Sequence, residues 1–93
     1  MAVIVVDYKQ PVVAPDGNAF RARACGLNKA SGNWQGWIEF NPINGAPTFR
    51  SPYETLQPTS SSLKQWAGGL TPNELADALT RALDRVCPGA RHA

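Results

Sequence analysis

Up to about residue 58 the apolar positions recur mostly at every second residue; beyond it they recur at every third or fourth. A period of two marks a strand with one buried face, and a period near 3.6 marks a helix with one buried stripe. "AVIVV" at 2–6 is dense in β-branched residues, which suit a pleated strand and crowd a helix, so a strand is predicted over 2–7. Its apolar residues are consecutive. Val3 and Val5 would face one way and Ile4 and Val6 the other, the pattern of a strand covered on both sides. The cover for its second face is expected from another copy of the chain, from the connection at 9–18, or from a partner. That connection, "KQPVVAPDGN", holds two prolines and an Asp16-Gly17 turn signal and cannot be an interior strand along its whole length.

"NAFRARACG" at 18–26 alternates, with Phe20, Ala22 and Ala24 on one face and Arg21, Arg23 and Cys25 on the other. After the loop "LNKASGN", the segment 34–40 places Trp34, Gly36, Ile38 and Phe40 on one face and Gln35, Trp37 and Glu39 on the other. The two strands read as a hairpin whose apolar sides coincide. "TFR" at 48–50 adds a short fourth strand, stopped by Pro52.

Leu63, Trp66, Ala67 and Leu70 then fall on one stripe of a short helix, with Thr59 to Ser62 as candidate N-caps and Gly68-Gly69 as a left-handed stop. "TPNELADALTRALDRV" at 71–86 is the strongest local signal. Thr71 caps, Pro72 takes the first helical position, Glu74 closes a capping box, and Leu70 staples onto Leu75. Leu75, Leu79, Leu83 and Val86, with Ala78 and Ala82, form its buried stripe, and Asp77 is expected to pair with Arg81 one turn on. The prediction is an α+β fold: a three- to four-stranded antiparallel sheet followed by a short helix and a longer C-terminal helix packed on one face. A chain of 93 residues forms one domain, placed at 1–87, and "PGARHA" at 88–93 reads as a flexible tail.

The strand "GNWQGWIEF" at 32–40 carries two tryptophans three positions apart, so their rings leave opposite faces of the sheet. Trp34 belongs with the helix-covered side, where Gly36 lets a helix approach closely. Trp37 then stands on the far face among Arg21, Arg23, Gln35 and Glu39. One reading is a cross-strand cluster in which arginine stacks on the indole and pairs with Glu39. Another is a binding face, since Trp and Arg are enriched at interface hot spots. A third is a bulge at Gly36 that reverses the parity.

"GNWQGWIEF" followed by "SPYETLQPTSSSLKQWAGGLTPNELADAL" resembles a family of small bacterial proteins with a W-x-G-W-I-E-F strand, an E-T-x-Q-P segment and a W-A-x-G-L-T-P helix junction. The resemblance spans roughly residues 20 to 83; it implies a single bacterial domain and carries no activity with it. Arg21, Arg23 and Trp37 on three antiparallel strands backed by a helix are also similar to the plant ethylene-response-factor DNA-binding domains, which present Arg and Trp from a sheet to the major groove. Glu39 on the same face departs from that pattern.

Composition narrows the classes. Hydrophobic residues make up 43% and charged ones 17% of the chain, ordinary values for a globular domain, and a net charge of +2 is too small to imply nucleic acid by itself. Arg21, Arg23, Lys29 and Arg50 against Glu39 make only the middle of the chain locally basic. "MAVIVVDY" has neither the basic leader of a signal peptide nor the length of a membrane span, so no membrane and a cytoplasmic setting are expected. Cys25 and Cys87 form no C-x-x-C pair and fit reduced thiols.

Signals for catalysis are thin. The one histidine, His92, is next to last, so a nucleophilic or metal site built on it lacks companions. Cys25 beside arginines suggests a lowered thiol pKa, against the simpler reading of a small packing residue. Glu39 and Glu54 suggest a carboxylate pair, against simpler readings in which Glu39 meets an arginine and Glu54, Thr55 and Gln57 bond free backbone groups. The glycines follow no phosphate-binding layout, and no cofactor, metal or catalytic residue is implied. The expected function is non-catalytic binding of a protein or a second copy through the outer sheet face, by Trp37, Arg21, Arg23, Gln35 and Glu39; nucleic-acid binding by the same face is the alternative. Trp37→Ala is then expected to weaken association with little loss of fold.

Overall fold

The structure, a computed structural model, describes residues 2–45 and 47–86, with side chains described as far as Asp84. Its strands are β1 (Ala2–Asp7), β2 (Val12–Val13), β3 (Ala19–Asn28), β4 (Trp34–Pro42), β5 (Phe49–Arg50) and β6 (Thr55–Gln57), and its helices are α1 (Ser60–Gly68) and α2 (Pro72–Val86). The α+β fold is the one the periodicities predict. β3 and β4 form the central hairpin, paired from Phe20↔Pro42 to Asn28↔Trp34. β1 and then β2 run along the outer edge of β3, while β5 and then β6 run along the outer edge of β4. The sheet is therefore an antiparallel meander whose two edge rows are each broken in the middle.

Proline explains both breaks, because it has no N–H to give a ladder. Pro11 separates β1 from β2, and the Tyr8 amide still reaches the Ala22 carbonyl at 3.1 Å. Pro52 separates β5 from β6, and buried Ser51 bridges the gap: its hydroxyl accepts from the Ile38 N–H at 3.0 Å and donates to the Pro52 carbonyl at 2.9 Å. Val12–Val13 and Thr55–Gln57 were beyond an alternation test, since two or three residues define no period.

The consecutive valines of β1 have a different cause from the one their pattern suggests. The ladder pairs Ile4 with Cys25 but Val6 with Ala24, leaving Val5 as an inserted residue. This bulge turns both Val5 and Val6 onto the helix side, where they pack against the core. Val3 and Ile4 are exposed, so β1 is an edge strand open to solvent rather than one covered on both faces.

Phe20, Ala22, Ala24, Ile38 and Phe40 supply the sheet's half of the core, and Ala67, Leu75, Ala78, Leu79 and Ala82 the helices' half. α1 lies over β1, β4 and β6, and α2 over β2, β4 and β5. α1 is seated by a notch. Gly26 and Gly36 are direct partners in the β3–β4 ladder, and Leu63 drops one methyl over each: a Cβ at Gly36 would lie 2.7 Å from Leu63 Cδ1, and one at Gly26 would overlap Leu63 Cδ2. Thr59 and Ser62 cap α1 reciprocally. At its other end Gly69 sits at φ −92°, so the helix stops without the left-handed glycine the sequence suggests. The Gly69 N–H closes the last turn onto the Gln65 and Trp66 carbonyls, at 3.1 and 3.2 Å, and the Tyr8 hydroxyl donates at 2.6 Å to the Ala67 carbonyl, which the Leu70 N–H reaches only at 3.4 Å. α2 begins as predicted, with the Glu74 N–H donating to Thr71 Oγ1 at 3.2 Å and the Thr71 N–H to Glu74 Oε1 at 2.9 Å. Arg81 does not turn to Asp77 for its bidentate bond: Nε donates to Glu54 Oε2 at 3.1 Å and the guanidinium also bonds Oε1, tying α2 to the sheet edge. The tail at 88–93 lies outside the described residues.

Gly36→Ala forces both Leu63 and Thr55 to move in a filled site and is expected to cost about 1 to 3 kcal/mol. In urea denaturation Leu63→Ala and Gly26→Ala are expected to be strongly non-additive, because at Gly26 the Leu63 side chain is what occupies the space the new methyl needs; additive losses would show that the notch does not seat the helix.

Candidate functional site

Both helices lie on one side of the sheet, so the other side is the face to consider. Cross-strand partners share a face, and three rows can be followed across it. The first runs Ala2, Leu27, Gln35, Leu56. The second runs Ile4, Cys25, Trp37, with Tyr53 completing it from the break between β5 and β6 by an edge-to-face ring contact of 5.7 Å with Trp37. The third runs Asp7, Arg23, Glu39, Arg50, alternating in charge from edge to edge. Arg21 lies beyond, opposite Asn41.

Trp37 thus projects away from the helices, as the parity of β4 requires, and the bulge of this sheet is in β1 rather than at Gly36. It is nevertheless only 2% exposed. Arg50 lies over the indole with its guanidinium carbon 4.1 Å from the ring centroid, and Tyr53 stands against the ring. Glu39 holds the edge, accepting from Trp37 Nε1 at 3.4 Å and from Arg23 Nε at 3.2 Å. A tryptophan in this setting is not an exposed anchor but the floor of the surface. The residues that meet water are Ile4 and Leu56, each 56% exposed, and Tyr53, 53% exposed, with Leu27 and Gln35 half-buried among them.

Of the residues expected to form the site, Arg23 and Glu39 are joined directly, Trp37 is bonded to Glu39, Gln35 belongs to the apolar first row, and Arg21 stands exposed at the far end. Tyr53, Leu56 and Arg50 belong to the same surface and lie in segments with no period to read.

Cys25, beneath the same surface, is a free buried thiol. Burial pushes its pKa up to about 11, with the nearby Glu39 carboxylate adding to the rise and Arg23 and Arg50 opposing it. It is therefore a packing residue, and the lowered pKa suggested by its arginine neighbours does not occur. Cys87 and His92 lie outside the described residues. Glu39 and Glu54 do not form a carboxylate pair, since each is engaged by its own arginine. Glu54 and Gln57 also have side-chain partners in place of backbone ones, Gln57 Nε2 donating to Thr55 Oγ1 at 2.7 Å.

Grooves also open on the helix side. One of about 330 Å³ lies between Tyr8, Pro11, Val12 and the α2 residues Pro72, Leu75 and Ala76. Another, of about 270 Å³, lies between Trp66 and the carboxylates of Glu54, Glu74 and Asp77, with Arg81 across it. Among the described residues no group of three or more His, Cys, Asp and Glu side chains is arranged to hold a metal ion, and no helix is long and apolar enough to cross a membrane. Compared with known proteins, the chain matches no family model, no curated protein and no solved structure.

Two outcomes follow. Trp37→Ala is expected to cost about 3 to 5 kcal/mol in chemical denaturation, because it opens a cavity under Arg50 and Tyr53; a loss under 1 kcal/mol would mean that the ring is not packed. Alkali is expected to destabilise the fold in a defined window. Burial also raises the Tyr8 phenol to about 12, so the folded state holds the Cys25 and Tyr8 protons more tightly than the unfolded state. Their contribution is fully present below the unfolded values of 9.0 and 10.0 and is lost as pH rises through the folded ones. Urea midpoints should therefore fall above pH 9 in the wild type, and less steeply in a Tyr8→Phe, Cys25→Ala variant.

Proposed function

We propose that the chain is a non-catalytic protein-binding domain, self-association included, whose contact surface is the outer face of its sheet. The observation that carries this reading is the set of apolar side chains left in water there: Ile4 at the β1 edge and Tyr53 and Leu56 at the β6 edge, with half-buried Leu27 and Gln35 between them, bordered by the charged row. Fully burying one such side chain is worth about 1.5 to 3 kcal/mol, and contiguous apolar surface rimmed by polar groups is where proteins meet other proteins. Tyr is among the residues enriched at interface hot spots, and Tyr53 is stiffened by Trp37 beneath it, which lowers the entropy lost on contact. Arg21, Arg23, Gln35 and Glu39 form the polar surround.

Nucleic-acid binding by the same face has less support. Phosphate contacts need cations free to displace counterions. Along the row Asp7 and Glu39 alternate with Arg23 and Arg50, so the face presents no continuous cationic track to a phosphate backbone.

Hydroxyl-radical footprinting of the protein inside the cells that make it, set beside the purified protein in dilute solution, tests the proposal. Tyr53 and Leu56 are expected to lose most of their labelling in the cell while Ile43, exposed in the β4–β5 loop, keeps its own. Equal labelling of Tyr53 and Leu56 in both settings would refute a protein-covered face.

A further inference from the structure

We infer that the partner of the outer face is a second copy of the chain, docked face to face about a two-fold axis that runs along the strands between β3 and β4; this rests on the protein-binding reading above. The inference comes from the order of charges in the third row. Read from the β1 edge to the β5 edge it is Asp7, Arg23, Glu39, Arg50, or minus, plus, minus, plus. A two-fold axis along the strands reverses this order in the opposing copy while keeping each row at its own height. Asp7 then meets the second copy's Arg50, and Arg23 meets its Glu39, with both contacts repeated by symmetry. Every position in the row finds its opposite, so the row is complementary to its own rotated image, the requirement for an isologous interface.

The same operation brings the apolar rows together. Ile4 lies opposite the second copy's Tyr53, and Ala2 opposite its Leu56, which covers the side chains that are otherwise exposed. The other in-plane axis, running across the strands, would reverse the height of the rows and press Asp7 to Arg50 against Ala2 to Leu56, leaving charges buried on apolar surface. That cost selects the first arrangement. Two sheets packed in this way keep their strands roughly aligned, about 10 Å apart. Four strands side by side give a face roughly 20 Å on a side, so the pair buries about 800 Å², the size of a weak, transient interface. A reversible dimer is expected, half-associated on the order of 10 µM, rather than an obligate one.

Sedimentation equilibrium of the full chain from nanomolar to high micromolar concentration provides the test. The wild type is expected to pass from monomer to dimer. Asp7→Arg, at an exposed edge position, places like charges opposite each other twice and is expected to weaken the dimer about ten-fold or more. Arg50→Glu does the same from the other side but also withdraws the cation from Trp37, so Asp7→Arg carries the single-site result. The double variant Asp7→Arg, Arg50→Glu restores opposite charges at every position, and so does an equal mixture of the two single variants; both are expected to recover association. A wild type that stays monomeric throughout overturns the proposal, and so does a dimer indifferent to Asp7→Arg. Loss in both single variants without recovery in the double or the mixture, with every variant keeping the wild-type urea midpoint, overturns the axis. A monomeric chain whose Tyr53 and Leu56 are nevertheless protected in cells would sink the second copy alone; unprotected residues would sink the protein-binding reading as well.

Discussion

Leu63 in the notch between Gly26 and Gly36 is the contact on which the rest of the arrangement depends. A sheet has two faces and one set of helices, and something must commit the helices to one of them. Two glycines paired directly across the central ladder make one place where a leucine side chain can approach the backbone of both long strands. Once α1 is seated there, the short link to Thr71 carries α2 onto the same side, and Tyr8 locks the end of α1 from the edge row. The other face is left without cover from the described chain.

That open face is organised around Trp37, which is as buried as a core residue while lying outside the helical layer. Arg50 supplies a flat cation over the ring and Tyr53 an edge contact, both with apolar surface on one side and a polar end in water. Glu39 joins this cluster to Arg23, so the charged row is held in place by the aromatic row next to it. The consequence is a rigid surface that is apolar at one end and alternately charged at the other.

Much of this was legible before any coordinates. The alternation in 18–26 and 34–40 determined the hairpin, its register of faces and the outward direction of Trp37, because a period of two admits only two sides. The Thr71 to Glu74 capping box and the 3.6 period placed α2 to within a residue. These are local properties, decided by neighbours along the chain.

What tertiary structure decided is what non-local contacts decide. Consecutive valines look the same whether a strand is covered twice or carries a bulge, and only the pairing with β3 distinguishes them. Whether Trp37 is exposed depended on Arg50 and Tyr53, thirteen and sixteen residues away in segments too short to show a period. Arg81 had a plausible local partner in Asp77 and took Glu54, because the fold brings that carboxylate within reach of a bidentate bond, which outweighs a single contact along one helix. The sequence by itself determined which side chains share a face; the folded chain determined which of them water can reach.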